Sequence, residues 1–226
     1  MKLYEWDFAP NCRRVRMYLL EKGIEVEREE CITPNISLKE SYAELYPHFM
    51  VPMLELDDGT QIGEGLAIWT YFETLHPDPP LMGTTALEKA MISTWERRAY
   101  DEGMVGHAEI FRNVHPNFVD RGLPGHLGPV PQIAALIDRG KMRVERFHAK
   151  FNEQLSKNKF IAGDTFSVAD ITMIAVIDFG LALEMQIPDS APHVKRWYDE
   201  VQERESVQKS RPTHMPDGSP MPVAAE

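Results

Sequence analysis

The stretch Phe8-Ala9-Pro10-Asn11-Cys12-Arg13-Arg14-Val15-Arg16 decides how this chain is read. It follows a short run, Lys2 to Trp6, that reads as a strand, and it opens a helix predicted over Asn11 to Lys22. Proline suits such an opening, because its fixed φ fits a helix start and its missing N–H would go unpaired there anyway. Gly23 supplies the left-handed C-cap. Strand, proline and helix in immediate succession bring free backbone N–H groups and the positive end of a helix dipole to one turn.

Outward from that turn, Ile24 to Glu29 is a second strand candidate, and Ser37 to Leu45 a helix stopped by Pro47. Pro52 to Leu56, Asp57-Asp58-Gly59 and Thr60 to Ile62 read as a hairpin from their turn residues and alternation. Ile68, Trp69, Phe72 and Leu75 lie at helical spacing in a segment running from Glu64 to Leu75. This order predicts an α/β domain over residues 1–76. His76-Pro77-Asp78-Pro79-Pro80 cannot continue a helix, so 77–86 is read as a linker. Residues 87–210 form an all-helical domain, with helices over Leu87 to Phe111, Pro131 to Leu155, Ser167 to Glu184 and Pro192 to Glu205. Residues 113–130, rich in Gly, Pro and His, read as a loop that folds over a cleft. The tail 211–226 is too poor in apolar residues to fold alone and is expected to be disordered or draped on the surface.

A composition of 43% hydrophobic and 26% charged residues matches an ordinary soluble globular protein. The net charge of −11 argues against nucleic-acid binding, which needs clustered Lys and Arg. No membrane-spanning run and no signal peptide are seen, and a cytoplasmic location is expected. Cys12 and Cys31 form no Cys-x-x-Cys, and the eight histidines make no His-Glu-x-x-His, so no metal is expected.

Three stretches resemble the cytosolic glutathione transferases: the Ala-Pro-Asn-Cys turn with its arginines, Val51 to Thr60 leading into Glu64-Gly65-Leu66-Ala67-Ile68, and Phe160 to Thr172. The resemblance spans about residues 1 to 205. It is nearest to bacterial members with an Ala-Pro-Asn turn, with some likeness to nu-type members that use Asn in a Thr-Pro-Asn turn. It implies a thioredoxin-like α/β N-terminal domain, an all-α C-terminal domain and a homodimer. It also implies glutathione as co-substrate, its thiolate attacking an apolar electrophile or a disulfide in a transferase or thiol-reductase reaction. Val51-Pro52 resembles the family's cis-proline, which leaves the Val51 backbone as an edge for the cysteinyl part of glutathione. Glu64 and Gly65, opening a helix, would take the γ-glutamyl end; a plain first-turn acid is the other reading of Glu64. Ser167 and Asp170 read as a structural capping pair.

A thiol of pKa near 8.5 must fall by roughly two units, about 3 kcal/mol, to be ionised at neutral pH. Relatives place a hydroxyl or thiol at the position of Ala9, which offers neither. Asn11 is then the candidate stabiliser, with helix capping as its alternative role. With Ala9 in place of the nucleophile, no dithiol cycle can run through this turn. Cys12 is either a thiol activated by the helix start or a small buried hydrophobe. Met50 stands where relatives often have Lys, and Gly65 where they have Ser, so two donors to glutathione are missing. Arg13, Arg14 or Arg16 would offset this in part, although a solvated helix face is the expectation for at least two of them. Tyr100, Met104 and His107 are the candidate second-substrate residues, while Trp95 and Phe111 read as core or dimer contacts. The rival to an enzyme is a non-catalytic binding or regulatory protein on the same scaffold, favoured by Ala9, Met50 and Gly65.

Overall fold

The computed structural model describes residues 1–33, 37–125 and 128–214; the last part of the expected tail, 215–226, and positions 126–127 of the expected loop lie outside these. Strand β1 (Lys2–Glu5) alternates, turning Leu3 and Glu5 inward. It pairs in parallel with β2 (Glu27–Glu30) and antiparallel with β3 (Met53–Glu55), which pairs antiparallel with β4 (Gln61–Gly63); the sheet order is β2-β1-β3-β4. Adjacent residues of β3 enter different clusters, as a period of two requires. Leu54 joins Leu3, Val15, Ile68 and Phe72, whereas Met53 joins Cys31 and Tyr42.

Helix α1 (Pro10–Lys22) ends at Gly23, whose φ of 64° lets the Gly23 and Ile24 N–H groups bond back to Leu20 and Leu19. Ile24 is thereby held in the helix cap, and β2 starts later than the pattern suggested. All four residues of β2 are charged, which suits an edge strand that must not pair further. Helix α2 (Glu40–Leu45) is also shorter than expected. Thr33 and Lys39 bond to Ser37 and Cys31 across the preceding segment, so Ser37 to Lys39 stay extended. Helix α3 (Gly65–Leu75) ends before the proline-rich stretch, where the Asp78–Pro79 peptide is cis.

Helix α4 (Ala86–Arg98) carries a complete capping box between Thr85 and Glu88. It runs through a π-helical turn, Ala99–Met104, into α5 (Val105–Val114). A single helix was expected over this span. Gly103 lies inside the π turn, where a Cβ would come within 2.6 Å of Val176 and 3.0 Å of Phe147, so the turn seats the chain against two other helices. Those are α6 (Ala134–Leu155) and the almost wholly buried α7 (Val168–Ala182), followed by α8 (Pro192–Val201) and a short α9 (Glu205–Lys209) that periodicity did not separate. Asp170 does cap α7 through Ser167. Its second oxygen also accepts the Ile161 N–H (3.0 Å) and Trp197 Nε1–H (2.9 Å), which ties three segments together.

The expectation of a solvated arginine face on α1 is wrong. Arg13, Arg14 and Arg16 are all buried: Arg13 pairs with Asp178 of α7 (2.5 Å), Arg14 with Glu96 of α4, and Arg16 with Glu5 of β1 (2.7 Å). Helix α1 is the joint between the sheet and the helices, and each arginine finds a carboxylate that only the tertiary fold delivers.

Candidate active site

The start of α1 is uncapped. Ala9 takes the N-cap position without a side-chain hydrogen bond, Pro10 has no N–H, and the first intrahelical bond is Arg13 N–H to Ala9 C=O at 3.0 Å. The N–H groups of Asn11 and Cys12 therefore find no partner among the described residues, at the positive end of a 13-residue helix. Asn11 does not cap the helix. Its Oδ1 accepts from Arg14 Nη1 at 3.0 Å, and since a guanidinium only donates, the amide oxygen must face Arg14. The two Nδ2 hydrogens lie on the opposite side, and Asn11 lines a cleft with Ala9 and Pro10. Arg14 is itself fixed: it bonds Thr172 Oγ1 at 3.0 Å, pairs with Glu96, and lies over the rings of Trp69 (4.7 Å) and Tyr100 (5.1 Å).

The Val51–Pro52 peptide is cis, and the Val51 N–H and C=O form no hydrogen bond within the described residues. Val51 lines the cleft, and Pro52 lies buried beneath it. Tyr42 donates its hydroxyl to the Met50 carbonyl at 2.6 Å, fixing the approach to this edge. Phe49 (φ 55°) and Glu64 (φ 66°) hold left-handed backbone that favours glycine, one on each side of the edge. Glu64 is exposed at the N-cap position of α3 and its side chain bonds nothing among the described residues. Gly65, with a negative φ, leaves Val15 at 3.5 Å from a would-be Cβ, so an added Cβ would meet only ordinary van der Waals contact.

The cleft, of about 600 Å³, runs between this surface and the helical half. Its far wall includes Tyr100 and Met104 from the π turn, Phe111 from α5, Phe179 from α7, and the segment from Phe118 to Gly125. That segment does fold over the cleft. Met50 is packed beneath it, where a Cβ on Gly125 would sit 2.9 Å from its sulfur, so Met50 seats the loop in place of presenting a cation.

His107 does not join Tyr100 and Met104. It is 1% exposed; its Nδ1 bonds the Gly103 carbonyl at 2.8 Å, and its Nε2 lies against Gly180 of α7. Burial lowers its pKa, so it is a neutral packing residue between helices. Cys12 is likewise withdrawn: wholly buried, it accepts the Trp6 N–H at 3.4 Å, and burial pushes its thiol up, which opposes activation by the helix start. Trp95 packs edge-on against Phe151 and is core. Arg14 is the residue that sequence reasoning named only as a partial substitute for the missing donors, missing its role in orienting Asn11. Its spacing of three from Asn11, which puts both on one helix face, was the available signal. Among the described residues no group of His, Cys, Asp and Glu has metal-binding geometry.

Residues 3–80 match the family profile of the glutathione S-transferase N-terminal domain, and residues 114–205 that of the C-terminal domain. Glutathione S-transferase 2 of Saccharomyces cerevisiae is 32% identical over 219 residues, covering 92% of this chain and 88% of its own. The crystal structure of Gtt2 from the same yeast superposes with a TM-score of 0.83 at 31% identity, over 93% of this chain and all of that one. A Gtt2-class glutathione S-transferase of Vibrio parahaemolyticus superposes at 0.78 with 34% identity, over 93% and 96% of the two chains. With a thioredoxin-like four-stranded half, a helical half and matches of this extent, the protein belongs to the cytosolic glutathione S-transferases and is a glutathione-dependent transferase.

Proposed function

We propose that Asn11 Nδ2–H and the free N–H groups opening α1 hold the glutathione thiolate, and that this thiolate attacks an electrophilic carbon of a substrate lying against Tyr100, Met104 and Phe111. The carrying observation is the Arg14–Asn11 hydrogen bond, which leaves the amide donor side available to the cleft. The activation is thus nu-like in using Asn, without the hydroxyl that precedes the proline in Thr-Pro-Asn turns. Val51, on the Pro52 turn, pairs with the cysteinyl backbone of glutathione. The N-terminus of α3 at Gly65 receives the γ-glutamyl carboxylate, and Glu64 its ammonium. Ala9 and Met50 contact the ligand without donating to it. Cys12 supports the turn by packing and takes no part in the chemistry, and His107 lies outside the substrate pocket.

Replacing Asn11 by Ala removes one hydrogen bond to a charged sulfur, about 1.5 to 3 kcal/mol, and should raise the bound thiol pKa by roughly one to two units. Thiolate absorbance at 240 nm against pH, with kcat/KM measured alongside, reads this directly. An unchanged thiol pKa in Asn11→Ala would remove Asn11 from the mechanism.

Residues 1–76 and 87–210, joined by 77–86, are the two domains of this reading, and the protein acts as a homodimer. Exposed Leu66 on α3 and exposed Leu87 and Met91 on α4 support that pairing; a monomer in the ultracentrifuge at micromolar concentration would end it. Two unpaired buried thiols support a cytoplasmic location.

A further inference from the structure

One wall of the cleft carries a positive charge that has no counter-charge among the described residues. Arg112, near the end of α5, lines the cleft; its Nη1 donates to the Arg121 carbonyl at 3.0 Å and its guanidinium lies 4.7 Å from the Phe118 ring centre. Among the described residues no carboxylate comes within ion-pair distance of it. Its neighbours differ: Arg139, also lining the cleft, is paired with Glu109 at 2.5 Å, and Arg143 shares the same acid at 3.5 Å. The charge that acts on the ionisation of Arg112 is that of Arg121, of the same sign. Arg121 sits over the same Phe118 ring at 5.2 Å and, reaching Ser37 Oγ at 3.4 Å, bridges the mouth of the cleft. Burial and the Arg121 charge bring the Arg112 pKa down to about 10, which still leaves it ionised at neutral pH.

A desolvated cation beside a like charge is costly unless an anion completes it. Beside it Met104, Phe111 and Phe118 are apolar, and the other charges lining this wall, Glu109 and Arg139, are paired with each other. A planar guanidinium binds a carboxylate through two parallel hydrogen bonds, and an aromatic ring beneath it fixes its plane.

We infer that Arg112, supported by Arg121, is a carboxylate-binding subsite, and that the preferred second substrate is an apolar electrophile carrying a carboxylate. This rests on the proposed use of the cleft for the electrophile. A suitable reaction is addition to an α,β-unsaturated ketone: the thiolate sulfur bonds to the β-carbon, the C=C π pair moves to the α-carbon, and water supplies the proton there. No oxidant or other co-reactant is needed. Glutathione also carries a glycyl carboxylate, so the same chemistry has two sources.

The test uses dihydroethacrynic acid, which cannot react, and its methyl ester, titrated by tryptophan fluorescence because Trp6 lines the cleft. The acid should bind wild type at least about tenfold more tightly than the ester, the worth of one charged hydrogen-bond pair. Arg112→Met, which keeps apolar contact with Phe118, should abolish that preference, and Arg112→Lys should keep part of it. Equal binding of acid and ester to wild type, or a preference surviving in Arg112→Met, would overturn the subsite. In a second arm, a preference for glutathione over its glycyl ethyl ester that vanishes in Arg112→Met would assign the arginine to glutathione and overturn the substrate class. Neither binding arm needs turnover, whereas the Asn11→Ala titration reads the thiolate, so the two readings fail separately.

Discussion

Asn11 owes its orientation to Arg14, and Arg14 owes its own to Glu96, Thr172 and two aromatic rings. An exposed asparagine would turn freely, and its average donor strength toward a thiolate would be small. Fixing the amide in advance means little reorganisation is needed when the sulfur becomes charged, which is how a single neutral donor becomes effective in a partly dry cleft. Gly65 is the complementary residue, since its surroundings accept a Cβ that the sequence does not provide. Gly65→Ser should add a hydroxyl donor at the start of α3 and lower the KM for glutathione by about tenfold, with kcat little changed. Steady-state kinetics at saturating electrophile measure this, and an unaltered KM would mean the γ-glutamyl carboxylate lies elsewhere.

At the scale of elements, α7 depends on one buried carboxylate. Asp170 accepts from the backbone of Ile161 and Ser167, from the Ser167 hydroxyl and from Trp197, and so links the preceding loop and α8 to the helix start. Asp170→Asn keeps the shape but turns one acceptor into a donor, leaving at least one buried N–H unpaired. The expected cost is about 2 to 3 kcal/mol, measured as a fall in urea midpoint at unchanged m-value. A loss below about 0.5 kcal/mol would show that the cap is dispensable. The π turn is the other element whose geometry matters for the site. It brings Tyr100 and Met104 onto the cleft wall, while the continuing helix turns His107 toward Gly180. An ideal helix drawn from Leu87 to Phe111 puts Met104, His107 and Phe111 on one face, and that is the origin of the misplaced histidine.

For the whole molecule, buried histidines set a limit on acid stability. Burial, reinforced by nearby His107, holds the His148 pKa down at about 4, against 6.5 for a free side chain, and His107 is shifted in the same direction. The unfolded chain takes these protons first. Stability is therefore fully present above pH 6.5 and declines toward pH 4, by up to about 3 kcal/mol for His148. Asp170, pushed up to about 6, acts oppositely over the overlapping range, because the folded form is protonated first. His148→Leu isolates the histidine: its urea midpoint should fall less than that of wild type between pH 6.5 and 4.5, and parallel curves would refute the assignment. The sequence by itself determined the order of the strands and of most helices and the Ser167–Asp170 cap, and its resemblance to the glutathione transferases supplied the Val51–Pro52 edge and the absence of a nucleophile at Ala9. Each is a local matter, set by periodicity of two or 3.6, by backbone chemistry or by residue identity at one turn. Only the tertiary structure decided that Arg13, Arg14 and Arg16 are interior, that Cys12 and His107 are withdrawn, and that Arg112 stands in the cleft with no acid paired to it among the described residues. A side chain's charge state and accessibility depend on groups far away in sequence, here Asp178, Glu96 and Gly180, whose positions exist only once the helices have packed.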